Sequence, residues 1–303
     1  MDVGTSGASG EDGQPYMTDG NLRRLRESDI RLIALDLDGT VLTDDKRLTP
    51  RMEAAIVSAA RSGILVVPDT GRPFAGIPKE LAAIHDIRYY ITSNGAVTKD
   101  IYTGQVLRSA CLDAETAVGI AEIPMKKNLV HDVFIDGVGY CEPSFHEKLL
   151  GFFRNTPLMP YVLQSRRSTE DLVRLIRESR YGVENIWFIA ADQAERDELD
   201  AYIRANFPVH TVLTAARDVE AGSPQAEKGL ALAALADELG IRKDQILAVG
   251  DNENDIGLLH AAGIAVAMEN GTDGAKRIAD IIAPPNSEDG AAAVIEEVLK
   301  NRM

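Results

Sequence analysis

The stretch Ile33-Ala34-Leu35-Asp36-Leu37-Asp38-Gly39-Thr40 constrains this chain more than any other. An apolar run followed by turn chemistry reads as a buried strand ending in a loop. Here the run ends in two carboxylates spaced i, i+2, with a glycine and a hydroxyl behind them. Carboxylates at the mouth of a buried strand are costly without a positive partner, so the pair implies a bound cation or a charged substrate. The rest of the chain has to supply that partner.

Other apolar runs end the same way. Residues 64–67 lead into Pro68-Asp69-Thr70-Gly71-Arg72, and residues 245–249 into Gly250-Asp251-Asn252-Glu253-Asn254-Asp255. Residues 89–92 close on Ser93-Asn94-Gly95-Ala96. Helical patterns separate these runs. Thr49 can cap a helix with Pro50 in its first turn and Met52, Ile56 and Ala60 on one face. Another helix is predicted from about Phe74 to Ile84, and one from about Ala226 carries Leu232, Leu235 and Leu239, with Lys228 near its start. A helix through Leu258 and Leu259, strands at 264–267 and near Ile281, and a helix over 289–299 finish the pattern. Strands alternating with helices imply a parallel sheet, and ligands of such sheets collect beyond the carboxyl ends of the strands. Four polar strand ends are therefore expected around one crevice.

Between about Val97 and Gly222 the rhythm changes to hairpin-like strands with interspersed helices, the mark of an α+β unit inserted into the first. Helices are predicted over 113–122, 168–179 (with Ser168 as N-cap) and 192–205, and strands over 129–135, 138–142, 185–190, 209–214 and 217–220. An αββ order occurs twice, from Asp113 and from Asp192. Residues 1–28, rich in Gly, Ser, Asp and Glu, read as a flexible tail. The expected division is thus a tail (1–28), a core (29–96 with 223–303) and an inserted domain (97–222).

The 303 residues carry a formal net charge of −15 with Lys and Arg scattered, which argues against binding a phosphate backbone. No apolar run reaches membrane-spanning length, and nothing implies a protein partner. Cys111 and Cys141 are far apart and lack zinc spacing, so a reducing cytoplasm is the expected compartment. His146-Glu147 starts like H-E-x-x-H, but Leu150 stands where the second ligand belongs. An EF-hand over 132–143 fails because Phe134 and Pro143 occupy ligand positions.

The inventory left is Asp36, Asp38, Asp251 and Asp255 as carboxylates, Thr70 and Asn254 as neutral hydrogen-bonders, Lys228 as a cation, and backbone N–H groups around Gly39 and Gly71. Oxygen donors without histidine or thiolate favour Mg²⁺. A carboxylate can also attack phosphorus when the phosphoryl oxygens are neutralised. Asp36 is then the nucleophile, and Asp38 protonates the leaving alcohol and afterwards activates water. Thr70, the Gly71 N–H and Lys228 hold phosphoryl oxygens; Asp251 ligates the metal, with Asn254 and Asp255 supporting its shell. Asp and Asn also cap helices, so at least one of these three is expected to cap as well. Arg72 and Asn94 are candidate substrate contacts, with an ion pair to Asp69 and a turn as their respective alternatives.

In this order DLDGT, TGR, SNGA, KG-x-AL and GDNEND resemble the haloacid dehalogenase-like (HAD) phosphohydrolases of the Cof type, from about Ile30 to the C-terminus. The resemblance implies a Rossmann-like parallel-sheet core with an inserted α+β cap (type IIB), Mg²⁺ dependence with the Asp38 backbone carbonyl among the ligands, and an aspartyl-phosphate intermediate. Its implied substrate is a small phosphorylated metabolite, a sugar phosphate or phosphorylated cofactor. Asp69, and Glu269 in Met268-Glu269-Asn270, depart from the usual pattern by adding negative charge. A phosphosugar mutase using the same intermediate and a non-catalytic metabolite-binding protein are the alternatives.

Overall fold

A computed structural model describes residues 17–213 and 216–302. Its strands, in chain order, are β1 (Leu32–Leu35), β2 (Leu65–Pro68), β3 (Tyr89–Thr92), β4 (Val97–Asp100), β5 (Gln105–Ser109), β6 (Val130–Ile135), β7 (Val138–Cys141), β8 (Arg166–Ser168), β9 (Val183–Ile189), β10 (His210–Val212), β11 (Asp218–Gly222), β12 (Ile246–Gly250), β13 (Ile264–Met268) and β14 (Ile281–Ala283). The described residues fall into two compact units. The first runs up to Asp69 and includes Glu80–Tyr89 and everything from Leu232; the second is Thr70–Lys79 with Tyr90–Ala231.

The first unit is built on a five-stranded sheet in the order β14-β13-β12-β1-β2, parallel throughout. In the register of β1, Leu35 pairs with Val249 on one side and Pro68 on the other. The strands are apolar on both faces, with Leu32, Ile33 and Ala34 fully buried, as parallel strands covered by helices must be. Helix Pro50–Arg61 starts as expected: Thr49 Oγ1 accepts the Met52 N–H at 3.0 Å. It packs on helix Gly290–Leu299, and Arg51 makes a two-pronged ion pair with Glu296 at 2.9 and 2.7 Å.

The expected tail needs correction where it is described; residues 1–16 lie outside the described residues. Residues Asp19–Glu27 form a helix capped by Thr18, with Leu25 fully buried and Arg26 paired to Glu297 at 2.7 Å. Its polar sequence holds one buried anchor, too little for a helical apolar period to show.

The second unit carries a six-stranded sheet, β10-β11-β9-β6-β7-β8, antiparallel except for the β7–β8 pair. Val133, Ile135, Ile186 and Phe188 bury one face against Ala117, Ile120, Leu199 and Ile203 of helices Ala114–Lys127 and Gln193–Asn206. Both expected αββ orders are present. Of the strand expected over 209–214, Thr214 lies outside the described residues.

β3 departs from expectation. It joins β4 and β5 in a separate three-stranded sheet and is not a strand of the parallel sheet. Beyond Asp69 the chain is irregular, and the Thr70 N–H donates to the Ile91 carbonyl of β3 at 3.0 Å. The helix expected over 74–84 is broken into a 3₁₀ turn, Phe74–Gly76, and a short helix, Lys79–Ala82, with Pro78 between them. Ser168 ends β8 and caps nothing; Asp171 accepts the Arg174 N–H (2.9 Å) and starts helix Leu172–Glu178. Helices Pro143–Phe153 and Met159–Ser165 had no sequence expectation. No helix among the described residues is long and apolar enough to cross a membrane.

Candidate active site

In the first unit the site grows from two strand ends that parallel pairing forces side by side. The Asp36 N–H donates to the Val249 carbonyl at 3.0 Å, one residue before β12 ends at Gly250 and the chain continues into Asp251. Asp36 is buried, Asp251 half-buried and Asp255 fully buried, and each offers an oxygen within 4.8 Å of the others. Two like unit charges at that distance repel by roughly 3 kcal/mol at an effective dielectric near 20. An all-oxygen set of three carboxylates so close together fits a hard divalent cation.

Local structure fixes the three carboxylates. Asp255 Oδ2 accepts the N–H groups of Asp251 (2.9 Å) and Asn252 (3.0 Å), so this residue closes the capping box of the turn Glu253–Asp255, whose N-cap is Asn252, while also joining the cluster. Asn254, half-buried, lies in the same turn. The Thr40 hydroxyl donates to Asp251 Oδ1 at 2.8 Å, and the Thr272 N–H to the Asp251 carbonyl at 2.7 Å. Gly39 has φ +94°, and a Cβ there would lie 2.5 Å from Asp251 Oδ2, so only glycine fits. Asn270 Nδ2 donates to the Gly39 carbonyl at 2.8 Å, and Asn270 Oδ1 accepts the Asn286 N–H at 3.0 Å. Asp38, half-buried, meets Lys46 Nζ at 3.1 Å.

The second unit assembles the remaining candidates around two loops. In the first, Thr70 is buried and its hydroxyl accepts the Arg72 N–H at 3.2 Å, a turn that leaves the Gly71 N–H at its apex. The Arg72 guanidinium is buried; it donates to the Gly76 carbonyl (3.0 Å) and lies 4.5 Å over the Tyr161 ring. In the second loop, Ser93, Asn94 and Gly95 all have positive φ. Its amides bind the first loop: Asn94 N–H donates to the Thr70 carbonyl and Ser93 N–H to the Arg72 carbonyl, both at 3.0 Å. A Cβ on Gly95 would lie 2.4 Å from the Glu227 carbonyl oxygen, so glycine here lets the start of helix Lys228–Glu238 press against this loop. Lys228 is 1 % exposed.

Three residues that no sequence motif marked hold this second loop. Arg108 donates to the carbonyls of Gly95 and Gln225, both at 2.5 Å. Glu220 Oε2 accepts from Asn94 Nδ2 at 3.0 Å and from Asn185 Nδ2 at 3.2 Å. Desolvation, with Asp218 and Asp132 adding repulsion, pushes the Glu220 carboxyl up to about 7. Glu184 is buried, accepting from Ser93 Oγ (2.5 Å) and the Gly137 N–H (2.6 Å), and burial raises its pKa as well.

The family model of the haloacid dehalogenase-like hydrolases matches residues 33–295, nearly the whole span that holds these groups. The chain belongs to the haloacid dehalogenase-like hydrolases. Within that family it is 28 % identical over 291 residues to phosphatase YwpJ of Bacillus subtilis, covering 89 % of this chain and 100 % of the relative. It is 30 % identical over 273 residues to a 5-amino-6-(5-phospho-D-ribitylamino)uracil phosphatase, YitU, of the same organism, covering 88 % and 96 %. The solved structure of a haloacid dehalogenase-like hydrolase from B. subtilis superposes with a TM-score of 0.74 at 28 % identity, covering 88 % of this chain and 99 % of that one. The expected family and α/β fold are thus borne out, and the enzyme class expected from the motifs, hydrolysis of phosphoric monoesters, accords with the phosphatase names of these HAD-like relatives.

Proposed function

We propose that the chain is a Mg²⁺-dependent phosphatase of a small phosphate monoester, a sugar phosphate or phosphorylated cofactor, working through an aspartyl-phosphate on Asp36. The observation that carries this reading is the meeting of Asp36, Asp251 and Asp255 oxygens within 4.8 Å at the end of β1. When bound, Mg²⁺ supplies charge neutralisation for the phosphoryl oxygens; Asp36, the Asp38 carbonyl and Asp251 would hold it, with Asn254 and Asp255 in support.

The chain's own groups perform the rest. A carboxylate oxygen of Asp36 forms a bond to phosphorus as the ester P–O bond breaks, and Asp38 gives its proton to the leaving oxygen. Asp38 then takes a proton from water, whose oxygen attacks the phosphorus and returns Asp36 as carboxylate with release of inorganic phosphate. Thr70, the Gly71 N–H and Lys228 hold phosphoryl oxygens through both displacements, and Asn94 contacts the substrate. Arg72, bonded to Gly76 and stacked on Tyr161, keeps the Thr70 loop in shape and stands second to Asn94 as a substrate contact. A relative acting on a phosphorylated ribitylamino-uracil supports a small metabolite as substrate. Two free cysteines support a cytoplasmic setting.

Phosphate release from p-nitrophenyl phosphate and from a panel of sugar phosphates, nucleotides and phosphorylated vitamins, with and without Mg²⁺, tests the proposal. Asp36→Asn is expected to lose at least three orders of magnitude in rate, and EDTA to silence the wild type until Mg²⁺ is restored. Near-normal turnover by Asp36→Asn in Mg²⁺ would overturn the mechanism. Interconversion of hexose phosphates without net phosphate release would mark a mutase.

A further inference from the structure

Two features single out Lys46, in the turn that follows the Asp-x-Asp stretch. Its Nζ stands 3.1 Å from Asp38 Oδ1, the lysine side chain 24 % and the aspartate 35 % exposed. Its backbone has φ +62°, in the left-handed region that L side chains enter at a cost. The turn is closed by its own bonds: Lys46 N–H to the Thr43 carbonyl (2.8 Å), Thr43 N–H to the Arg47 carbonyl (3.0 Å) and Thr43 Oγ1 to Asp45 Oδ1 (2.6 Å). A glycine would take this backbone without strain, so the turn does not itself ask for lysine. What lysine brings is the ammonium on Asp38. The neighbouring Arg47 is turned to Asp45 instead, at 2.5 Å.

We propose that Lys46 is a positioning residue for the hydrolysis described above: its ammonium holds the Asp38 side chain in the orientation from which it exchanges a proton with the leaving oxygen and with water. The inference rests on that reading of Asp38. A single half-buried ion pair still in contact with solvent adds little to folding stability, so the contribution is geometric and is read in turnover. A misplaced proton donor costs rate while leaving substrate binding alone, because the donor acts in the transition state.

The test uses the full chain in saturating Mg²⁺, with phenyl phosphate and p-nitrophenyl phosphate as probes. Lys46→Met and Lys46→Gly are expected to lower kcat on phenyl phosphate at least fivefold with KM within about twofold. The loss should be smaller on p-nitrophenyl phosphate, whose leaving group needs less protonation. Lys46→Arg should recover most of the rate. Lys46→Gly should melt within about 2 °C of the wild type, separating lost turnover from lost folding. In an Asp38→Asn background, Lys46→Met should slow the residual rate no further. A fall of less than fivefold in both variants while Asp38→Asn is crippled overturns the role of Lys46, as does an undiminished effect in the Asp38→Asn background. Normal turnover by Asp38→Asn instead overturns the hydrolytic reading itself.

Discussion

Gly39 and Thr40 show how little room single residues have around Asp251. With φ +94° and a Cβ position 2.5 Å from Asp251 Oδ2, Gly39→Ala must either shift the loop or displace the carboxylate. The expected result is a stability loss of about 1–3 kcal/mol in denaturant titration, together with phosphate release at least tenfold slower. Thr40→Val keeps the shape but removes the 2.8 Å bond to Asp251 Oδ1. Losing a group that orients a metal ligand lowers affinity roughly 10- to 100-fold, so half-activation by Mg²⁺ should move up by about a factor of ten with substrate KM little changed. A companion measurement reads the ion without catalysis: Mg²⁺ should raise the melting temperature of the wild type but not of Asp251→Asn. Asp36, Asp251 and Asp255 were legible in the sequence because each follows an apolar run, where a carboxylate is conspicuous. The bonds of Thr40, Asn270, Arg108 and Glu220 were not, because their partners lie far along the chain or are backbone carbonyls, and no spacing rule encodes either.

At the scale of elements, apolar periodicity and capping chemistry located the parallel strands and the helices that begin at Thr49 and Asp192, since burial and caps act within a few residues. They failed where tertiary contacts decide. Ser168 and Asp171 both look like caps; strand pairing with β7 claimed the first and left the second to start the helix. Asp171→Ala is therefore expected to cost about 1 kcal/mol and Ser168→Ala only a few tenths, in urea titrations of the two variants side by side. Helix Asp19–Glu27 was hidden for a related reason, its hold depending on the buried Leu25 and on ion pairs to Asp280 and Glu297. Leu25→Ala should lower stability by about 2–5 kcal/mol, more than an exposed tail residue could.

Stability as a function of pH is a property of the whole molecule, and Glu220 gives it a sign. Its carboxyl is pushed up to about 7 in the folded protein from an ordinary value of 4.5. Between these values the folded state binds more of the proton than the unfolded state, so stability falls as pH rises through that window and levels off above about 7. Glu220→Gln keeps an acceptor for Asn94 and Asn185 but cannot ionise. Its unfolding free energy should decline less between pH 5 and 8 than that of the wild type, as followed by chemical denaturation at several pH values. The broad architecture was legible because alternating strands and helices admit few topologies, whereas the three-stranded sheet of β3, β4 and β5 was not, since pairing partners cannot be read from the apolar character of a strand.

The pairing of β1 with β12 has a consequence for how such a chain comes into being. Leu32 is made before the entire six-stranded sheet, and its neighbour Ile246 only after it. During that interval β1 is an apolar strand lacking one of its two flanking strands, while the interposed unit has everything it needs to fold first. The nucleophile candidate is thus translated before the whole of that sheet, and it meets its two fellow carboxylates only after the sheet has been made.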